Sequence, residues 1–293
     1  MTAKSTMLTL NNGVEMPALG LGVFQSAPEE TAASVTTALQ DGYRLIDTAA
    51  AYGNEKEVGE GIRRSGVDRG EVFVTTKLWL SDYGYDATLR AFDTSLDNLG
   101  LDYLDLYLLH FAFPSAFDST VAAYKAMEKL LADGRVRAIG VSNFSAGQLR
   151  DLIDRTDVVP AVNQVELHPY FIQRELRNVH ANLGVVTQDW SPLGGVNLYW
   201  SAAPQAGQSP LEDPTVVKIA ARYGKTPAQV VLRWHIEQGL SAIPKSVKAH
   251  RIAENSNIFD FALTADEVAA VDALDTGLRG GPDPDSIKAD SFG

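Results

Sequence analysis

Short apolar runs alternate along this chain with longer segments in which apolar residues recur at helical spacing. A short run bounded by turn residues is typical of a buried strand, and a 3.6-residue period is typical of an amphipathic helix. Repetition of the two predicts βα units and a parallel sheet. Eight runs qualify as strands: Leu19–Phe24, Tyr43–Asp47, Val72–Lys77, Tyr103–His110, Val136–Val141, Ala161–Glu166, Val185–Asp189 and Leu240–Pro244.

Turn and cap signals flank these units. Asn11-Asn12-Gly13 separates two short extended runs, and an Asn-Gly pair supplies the positive φ angles of a tight hairpin. Ser26-Ala27-Pro28-Glu29 and Thr226-Pro227-Ala228-Gln229 each offer an N-cap residue, a proline near the first helical position and a capping-box acid or amide. Thr264-Ala265-Asp266-Glu267 predicts a further helix after the eighth unit.

Eight such units form either a closed barrel or an open doubly wound sheet. The open sheet usually carries a Gly-x-Gly-x-x-Gly turn after its first strand, whereas this chain has only Gly20-Leu21-Gly22. The pattern therefore favours an α/β fold with residues 1–293 in a single domain, a (β/α)8 TIM barrel. We expect an N-terminal β-hairpin, a long loop after strand seven between Gly194 and Pro210, and an extra C-terminal helix and tail.

Composition and charge limit the partners and the compartment. The formal net charge is -12, so long-range electrostatics oppose binding to nucleic acid or to an anionic membrane. The chain contains no cysteine, which excludes disulfides and thiolate chemistry and indicates a reducing compartment. The first eight residues lack the basic and apolar regions of a secretory signal, and no apolar run is long enough to span a membrane. We expect a cytoplasmic protein.

Three neighbouring predicted strands end on a polar or ionisable side chain. Asp47, Lys77 and His110 close strands two, three and four, and Tyr52 follows in the loop after strand two. Because active sites of barrels lie at the C-terminal strand ends, we expect the four side chains to meet there. Each also has an ordinary structural interpretation. Asp47 could cap a helix and Tyr52 could pack as an aromatic, while Lys77 could be a solvated charge and His110 a hydrogen-bonded core residue.

Together the four side chains predict a site for proton transfer. A nearby ammonium favours phenolate, so Lys77 should lower the pKa of Tyr52, and Asp47 should balance the charge of the lysine. A neutral His110 imidazole can donate a hydrogen bond to a carbonyl oxygen. Such a site protonates an oxygen that becomes negative as its carbon receives hydride, and the hydride must come from a cofactor.

At this point the chain resembles the aldo-keto reductase superfamily, specifically the bacterial branch that includes the 2,5-diketo-gluconate reductases. Two motifs carry the resemblance: Gly42-Tyr43-Arg44-Leu45-Ile46-Asp47-Thr48-Ala49 with Tyr52-Gly53-Asn54-Glu55 and Val58-Gly59, and Ile243-Pro244-Lys245-Ser246 with Arg251, Glu254 and Asn255. The resemblance implies that Asp47, Tyr52, Lys77 and His110 are the catalytic tetrad, and none of them is substituted. It also implies NADPH-dependent reduction of aldehydes or ketones, including keto-sugars or α-dicarbonyls, to alcohols.

The resemblance further implies a set of cofactor contacts. The nicotinamide amide would bind Ser142, Asn143 and Gln164, Trp190 would stack on the ring, and the turn with Ser191 and Leu193 would lie near the pyrophosphate. Lys245, Ser246 and Arg251 would bind the 2′-phosphate of NADPH, and Glu254 and Asn255 would face the adenine. The structural alternatives are helix caps at Ser142 and Asn143, a core tryptophan and a basic surface helix.

The substrate is less well defined. Phe24, Trp79 and Phe111 follow strands one, three and four and should line the entrance. Many family members have Trp-Pro after the histidine, whereas this chain has Phe111-Ala112, which leaves the size of the small-molecule carbonyl substrate open. The loop with Tyr199 and Trp200 and the tail 279–284 are candidates to close over the pocket.

Two other function classes are compatible with parts of the sequence. A cofactor-binding, redox-sensing regulatory subunit has the same fold, but the intact tetrad argues against a purely sensory role. The sequence gives little support to a metal-dependent barrel hydrolase, because it has no close histidine pair at ligand spacing. We expect no metal site. We expect the reductase to act as a monomer.

Overall fold

The strands form a small hairpin and an eight-stranded parallel sheet in the computed structural model, which describes residues 6–194, 209–277 and 279–288. The hairpin consists of β1 (Met7–Thr9) and β2 (Glu15–Pro17). The sheet follows chain order: β3 (Leu21–Gly22), β4 (Leu45–Asp47), β5 (Phe73–Leu78), β6 (Leu104–Leu109), β7 (Val136–Ser142), β8 (Val162–Glu166), β9 (Val186–Trp190) and β10 (Ser241–Ala242). All eight predicted strands are present.

The sheet closes between its first and last strands. Parallel bridges join Leu19 to Ala242 and Gly22 to Lys245, and the amide of Gly20 donates to the carbonyl of Ala242 at 2.9 Å. β10 is shorter than predicted and ends before Pro244, which has no amide hydrogen to add to the ladder. These contacts confirm the predicted (β/α)8 barrel.

Ten α-helices of the described residues accompany the barrel. They are α1 (Pro28–Gln40), α2 (Glu55–Ser65), α3 (Tyr85–Leu99), α4 (Phe117–Ala132), α5 (Ala146–Asp154), α6 (Arg174–Leu183), α7 (Pro214–Tyr223), α8 (Pro227–Glu237), α9 (Ala249–Ser256) and α10 (Ala265–Asp272). Capping boxes at Thr226 and Thr264 begin α8 and α10, as predicted. The predicted N-cap at Ser26 was wrong. Pro28 is the first residue of α1, which makes Ala27 the N-cap and holds it in the extended conformation.

The hairpin packs against the N-terminal end of the barrel. Its turn is closed by the amide of Leu10, which donates to Val14 at 2.8 Å, and Gly13 adopts a φ of 83°. Asn12 does not share the positive φ that the Asn-Gly pair predicted. Its side chain donates instead to the carbonyl of Arg137 at 2.9 Å, which ties the turn to the barrel. The predicted hairpin is therefore confirmed, with a different turn geometry.

The long loop after β9 is only partly described. Residues 195–208, which include Tyr199 and Trp200, lie outside the described residues, and the chain resumes at Ser209 before α7. No helix within the described ranges is long and apolar enough to cross a membrane. The same ranges hold no group of three or more His, Asp or Glu side chains arranged to bind a metal.

Candidate active site

A cavity of about 350 Å³ opens at the C-terminal ends of the barrel strands. Most of the predicted site residues line it: Asp47, Tyr52, His110, Ser142, Asn143, Gln164, Trp190, Ser191, Leu193, Lys245, Phe24, Trp79 and Phe111. Lys77 is fully buried next to Asp47. The remaining predicted residues, Ser246, Arg251, Glu254 and Asn255, lie on or just before α9 and do not line the cavity.

Lys77 and Asp47 form a buried ion pair. Nζ of Lys77 donates to Oδ1 of Asp47 at 2.6 Å and to the carbonyl of Thr48 at 2.9 Å. The second carboxylate oxygen accepts a hydrogen bond from Nε2 of Gln164 at 2.7 Å. The ammonium and the carboxylate are therefore both paired and hydrogen-bonded, which offsets the cost of burying them. Burial lowers the pKa of Lys77 and raises the pKa of Asp47, and in each case the charge of the partner opposes the shift. The predicted pair is present.

The loop after β4 brings Tyr52 to this pair. Tyr52 ends a single 3-10 turn, Ala50–Tyr52, and Asn54 holds the loop by donating to the carbonyl of Val23 at 3.0 Å. The hydroxyl of Tyr52 accepts a hydrogen bond from Nζ of Lys77 at 3.4 Å. The phenol, the ammonium and the carboxylate therefore lie in one connected row at the edge of the cavity.

The expected lowering of the Tyr52 pKa by Lys77 was wrong. Burial raises the pKa of Tyr52 well above its usual value, and the charge of Asp47 raises it further. The reason is that Asp47 lies 2.6 Å from the ammonium, so the phenol faces a neutralised pair and the loss of water dominates. Tyr52 is consequently a protonated phenol at neutral pH, which is the form that can give up a proton.

His110 directly follows β6, and its ring lies close to the phenol of Tyr52. Its ring centroid lies 5.7 Å from that of Tyr52 and 5.0 Å from that of Trp79. Burial, followed by the charge of Lys77, lowers the pKa of His110 well below its usual value. The imidazole is therefore neutral at physiological pH, as predicted, and can donate one hydrogen bond to a ligand oxygen.

A row of uncharged polar side chains forms another wall of the cavity. Oδ1 of Asn143 accepts from Nε1 of Trp190 at 2.8 Å, and Oγ of Ser142 donates to the carbonyl of Gln164 at 2.8 Å. Gln164 uses its amide hydrogens on Asp47 and Gln188, so Oε1 is the atom with which it can bind a ligand. Acceptor oxygens beside a flat indole fit the carboxamide and ring of a nicotinamide.

Glu166, at the end of β8, was not predicted as a site residue. It is fully buried, and its carboxylate accepts hydrogen bonds from the amides of Gly280 at 2.7 Å and Gly281 at 2.8 Å. This contact holds the C-terminal tail so that Pro282 lines the cavity. A signal for it existed in the sequence, because Glu166 ends the sixth predicted strand just as Asp47 ends the second.

Replacing Gly281 by alanine should disturb the wall of the cavity that Trp190 and Pro282 form. A Cβ at this position would lie 2.5 Å from Cη2 of Trp190, so either the tail or the indole must move. We expect the KM for a carbonyl substrate to rise about tenfold in steady-state kinetics. Gly70→Ala is the matched control, because its Cβ would meet nothing within 4 Å. An unchanged KM in Gly281→Ala would show that the tail does not shape the site.

Comparison with known proteins gives one consistent family. Residues 18–276 match the Aldo/keto reductase family. Morphine 6-dehydrogenase of Pseudomonas putida is 55% identical over 293 residues, covering 100% of this chain and 99% of the relative. Methylglyoxal reductase DkgA of Escherichia coli is 45% identical over 285 residues, covering 97% of this chain and 99% of the relative.

The fold of the chain is also similar to that of a solved structure. The crystal structure of a Bombyx mori aldo-keto reductase in complex with NADP superposes with a TM-score of 0.87 at 36% identity, covering 95% of each chain. The resemblance inferred from the two motifs is thus confirmed by a family match over most of the chain and by relatives of full length. The chain belongs to the aldo/keto reductase family.

Proposed function

We propose that the protein reduces the carbonyl group of an aldehyde or ketone to an alcohol, with NADPH as its cofactor. The observation that carries the proposal is the row of Tyr52, Lys77 and Asp47 beside a neutral His110, at the edge of one cavity. Family membership supports the reaction class. The names of the relatives support the cofactor and the substrates, since one is a methylglyoxal reductase and another was solved with NADP.

A bound nicotinamide cofactor would supply hydride, and with it two electrons, to the carbonyl carbon. As the carbon–oxygen π bond breaks, negative charge develops on oxygen, and the Tyr52 hydroxyl donates its proton there. The neutral His110 imidazole holds the oxygen by a hydrogen bond. Lys77 lies 3.4 Å from the Tyr52 oxygen and stabilises the phenolate that remains. Asp47 keeps the lysine charged in its buried position.

The choice of NADPH is proposed to rest on the basic residues beside α9. Lys245, Lys248 and Arg251 have exposed side chains, and Oγ of Ser246 accepts from the amide of Lys248 at 3.1 Å. Such a group suits the 2′-phosphate of the cofactor. Glu254, proposed to face the adenine, also accepts a hydrogen bond from Oγ of Thr226 at 2.9 Å, which ties α9 to the start of α8.

Arg251→Gln should weaken the binding of NADPH without affecting the binding of NADH. Loss of a charge-assisted hydrogen bond to phosphate is expected to raise the KM for NADPH about 10- to 100-fold. The KM for NADH and the kcat with either cofactor should stay within about twofold, because the side chain is exposed and does not line the cavity. The measurement is steady-state kinetics with both cofactors. Equal losses for NADH and NADPH would contradict the assignment.

The experiment that tests the proposed function follows oxidation of NADPH and NADH by the purified protein. The panel contains methylglyoxal, aromatic aldehydes, keto-sugars and polycyclic ketones, the last because a 55% identical relative is named morphine 6-dehydrogenase. Turnover that depends on cofactor and carbonyl supports the reductase. Tight NADPH binding without turnover on any member of the panel would favour the sensory alternative.

We also propose that residues 1–293 act as one domain, as a monomer in the cytoplasm, on a small-molecule substrate. The net charge of -12 disfavours nucleic acid and anionic membranes as partners. The absence of cysteine suits a reducing compartment. Size-exclusion chromatography with light scattering tests the monomer, and a stable dimer would contradict it.

A further inference from the structure

A second buried pair of ionisable side chains lies next to the cavity, and the proposed reaction uses neither member. Asp189 is on β9 and His235 is on α8, and both side chains are fully buried. Nδ1 of His235 lies 2.6 Å from Oδ2 of Asp189, and Nε2 of His235 lies 3.0 Å from the carbonyl oxygen of Pro192. The imidazole therefore bridges a strand-end carboxyl group and the backbone of the following turn.

These contacts fix the number of hydrogens that the pair carries. A carbonyl oxygen can only accept, so Nε2 of His235 bears a hydrogen that it donates to Pro192. The contact of 2.6 Å between Nδ1 and Oδ2 requires a second hydrogen on one of these atoms. With two hydrogens, the pair is neutral overall. Burial raises the pKa of Asp189, while the nearby charges of His235, Arg177 and His168 oppose this shift.

The turn that His235 contacts is strained and belongs to the cavity wall. Ser191 has a φ of 49°, which side-chain-bearing residues rarely adopt. The amide of Gly194 donates to the carbonyl of Ser191 at 2.8 Å, and residues 191–194 all line the cavity. A turn in this conformation keeps its shape only where surrounding contacts determine it. The hydrogen bond from His235 to the Pro192 carbonyl is such a contact.

The helix that carries His235 is itself held in place. The neighbouring residue, Trp234, is fully buried, and its Nε1 donates to Oδ1 of Asp272 on α10 at 2.9 Å. The carbonyl of Asp189 accepts from the amide of Ile243 at 3.2 Å, which fixes the strand end. The imidazole therefore contacts the turn from two rigid elements.

We infer that His235 is a positioning residue for the cofactor. Oriented by Asp189, it donates to the Pro192 carbonyl and holds residues 191–194 in the shape that receives the pyrophosphate. The inference rests on the proposed function and on the expectation, drawn from the family resemblance, that Ser191 and Leu193 lie near the pyrophosphate. We therefore expect the hydrogen-bond donor at Nε2 of His235 to govern the affinity for the cofactor. The charge of Asp189 should have no such effect.

Two variants separate these roles. In Asp189→Asn, the side-chain amide can donate to Nδ1, which leaves the hydrogen on Nε2 and keeps the bond to Pro192. In Asp189→Asn/His235→Phe, the donor is lost and no buried carboxylate is left unpaired. We expect Asp189→Asn to bind NADPH within about twofold of the natural chain and the double variant to bind about tenfold more weakly, by isothermal titration calorimetry. The kcat at saturating cofactor should stay within about twofold in both.

A rescue variant and a cofactor-free measurement complete the test. Glutamine can place its amide near the position of Nε2, so Asp189→Asn/His235→Gln should recover part of the affinity. Hydrogen exchange at the Gly194 amide, measured without cofactor, should be faster in the phenylalanine double variant than in Asp189→Asn. Equal NADPH affinity or equal exchange in these two variants would overturn the inference. A natural chain that binds no nicotinamide cofactor would instead overturn the proposed function, and the exchange measurement would still decide the role of His235.

Discussion

Tyr52→Phe is expected to lower kcat for carbonyl reduction by a factor of about 10² to 10⁴ and to leave the affinity for NADPH within about twofold. The substitution removes the only proposed proton donor and keeps the ring that packs 5.0 Å from Phe24. The Lys77–Asp47 pair retains its other hydrogen bonds, to Thr48 and Gln164. Steady-state kinetics with the best carbonyl of the panel, together with a cofactor titration, measures both quantities.

A second tyrosine provides the control for this loss. Tyr124 on α4 is fully buried, and no described residue is a hydrogen-bond partner of its hydroxyl. Tyr124→Phe therefore removes a phenolic oxygen from the core without touching the cavity, and kcat should be unchanged. Retained turnover in Tyr52→Phe would show that another group delivers the proton. A parallel fall of NADPH affinity would show that the ring no longer packs as it does in the natural chain.

The strand-end pattern predicted that Asp47, Lys77 and His110 lie close together, because this depends on topology alone. Asp47 ends β4, Lys77 is the penultimate residue of β5 and His110 directly follows β6. Parallel strands bring their C-terminal ends to the same rim whatever the details of packing. The sign of the Tyr52 pKa shift could not be predicted in that way. It depends on how much water the phenol loses and on how closely Asp47 neutralises Lys77, and both are properties of the folded structure.

Contacts between distant segments were also hidden from the local pattern. Glu166 binds the amides of Gly280 and Gly281, which lie 114 and 115 positions away along the chain. His235 meets Asp189 across 46 positions. Neither contact has a spacing signal, because the partners are a backbone amide in the tail and a histidine within an ordinary amphipathic helix. The error at the cap of α1 was local instead, since Pro28 set the helix start one residue later than Ser26 indicated.

Lys77→Met is expected to lower the free energy of unfolding by about 3–5 kcal/mol, because it leaves the Asp47 carboxylate buried without its cation. The side chains of Lys77 and Asp47 are 0% and 2% exposed, so water cannot replace the lost partner. Asp47→Asn should also destabilise the folded protein, because it leaves the Lys77 ammonium buried without its carboxylate. Chemical denaturation followed by circular dichroism measures the change, and turnover should also fall about 10²-fold or more in each variant.

The double variant Asp47→Asn/Lys77→Met separates stability from catalysis. It removes both charges at once, and Gln164 can still donate to the asparagine oxygen, so most of the lost stability should return. Turnover should not return, because no ammonium is left to stabilise the Tyr52 phenolate. A stable, inactive double variant would mean that the pair is kept for its effect on the phenol. A stable double variant with near-normal turnover would mean that Tyr52 transfers its proton without help from Lys77, and the pair would then have no part in the reaction.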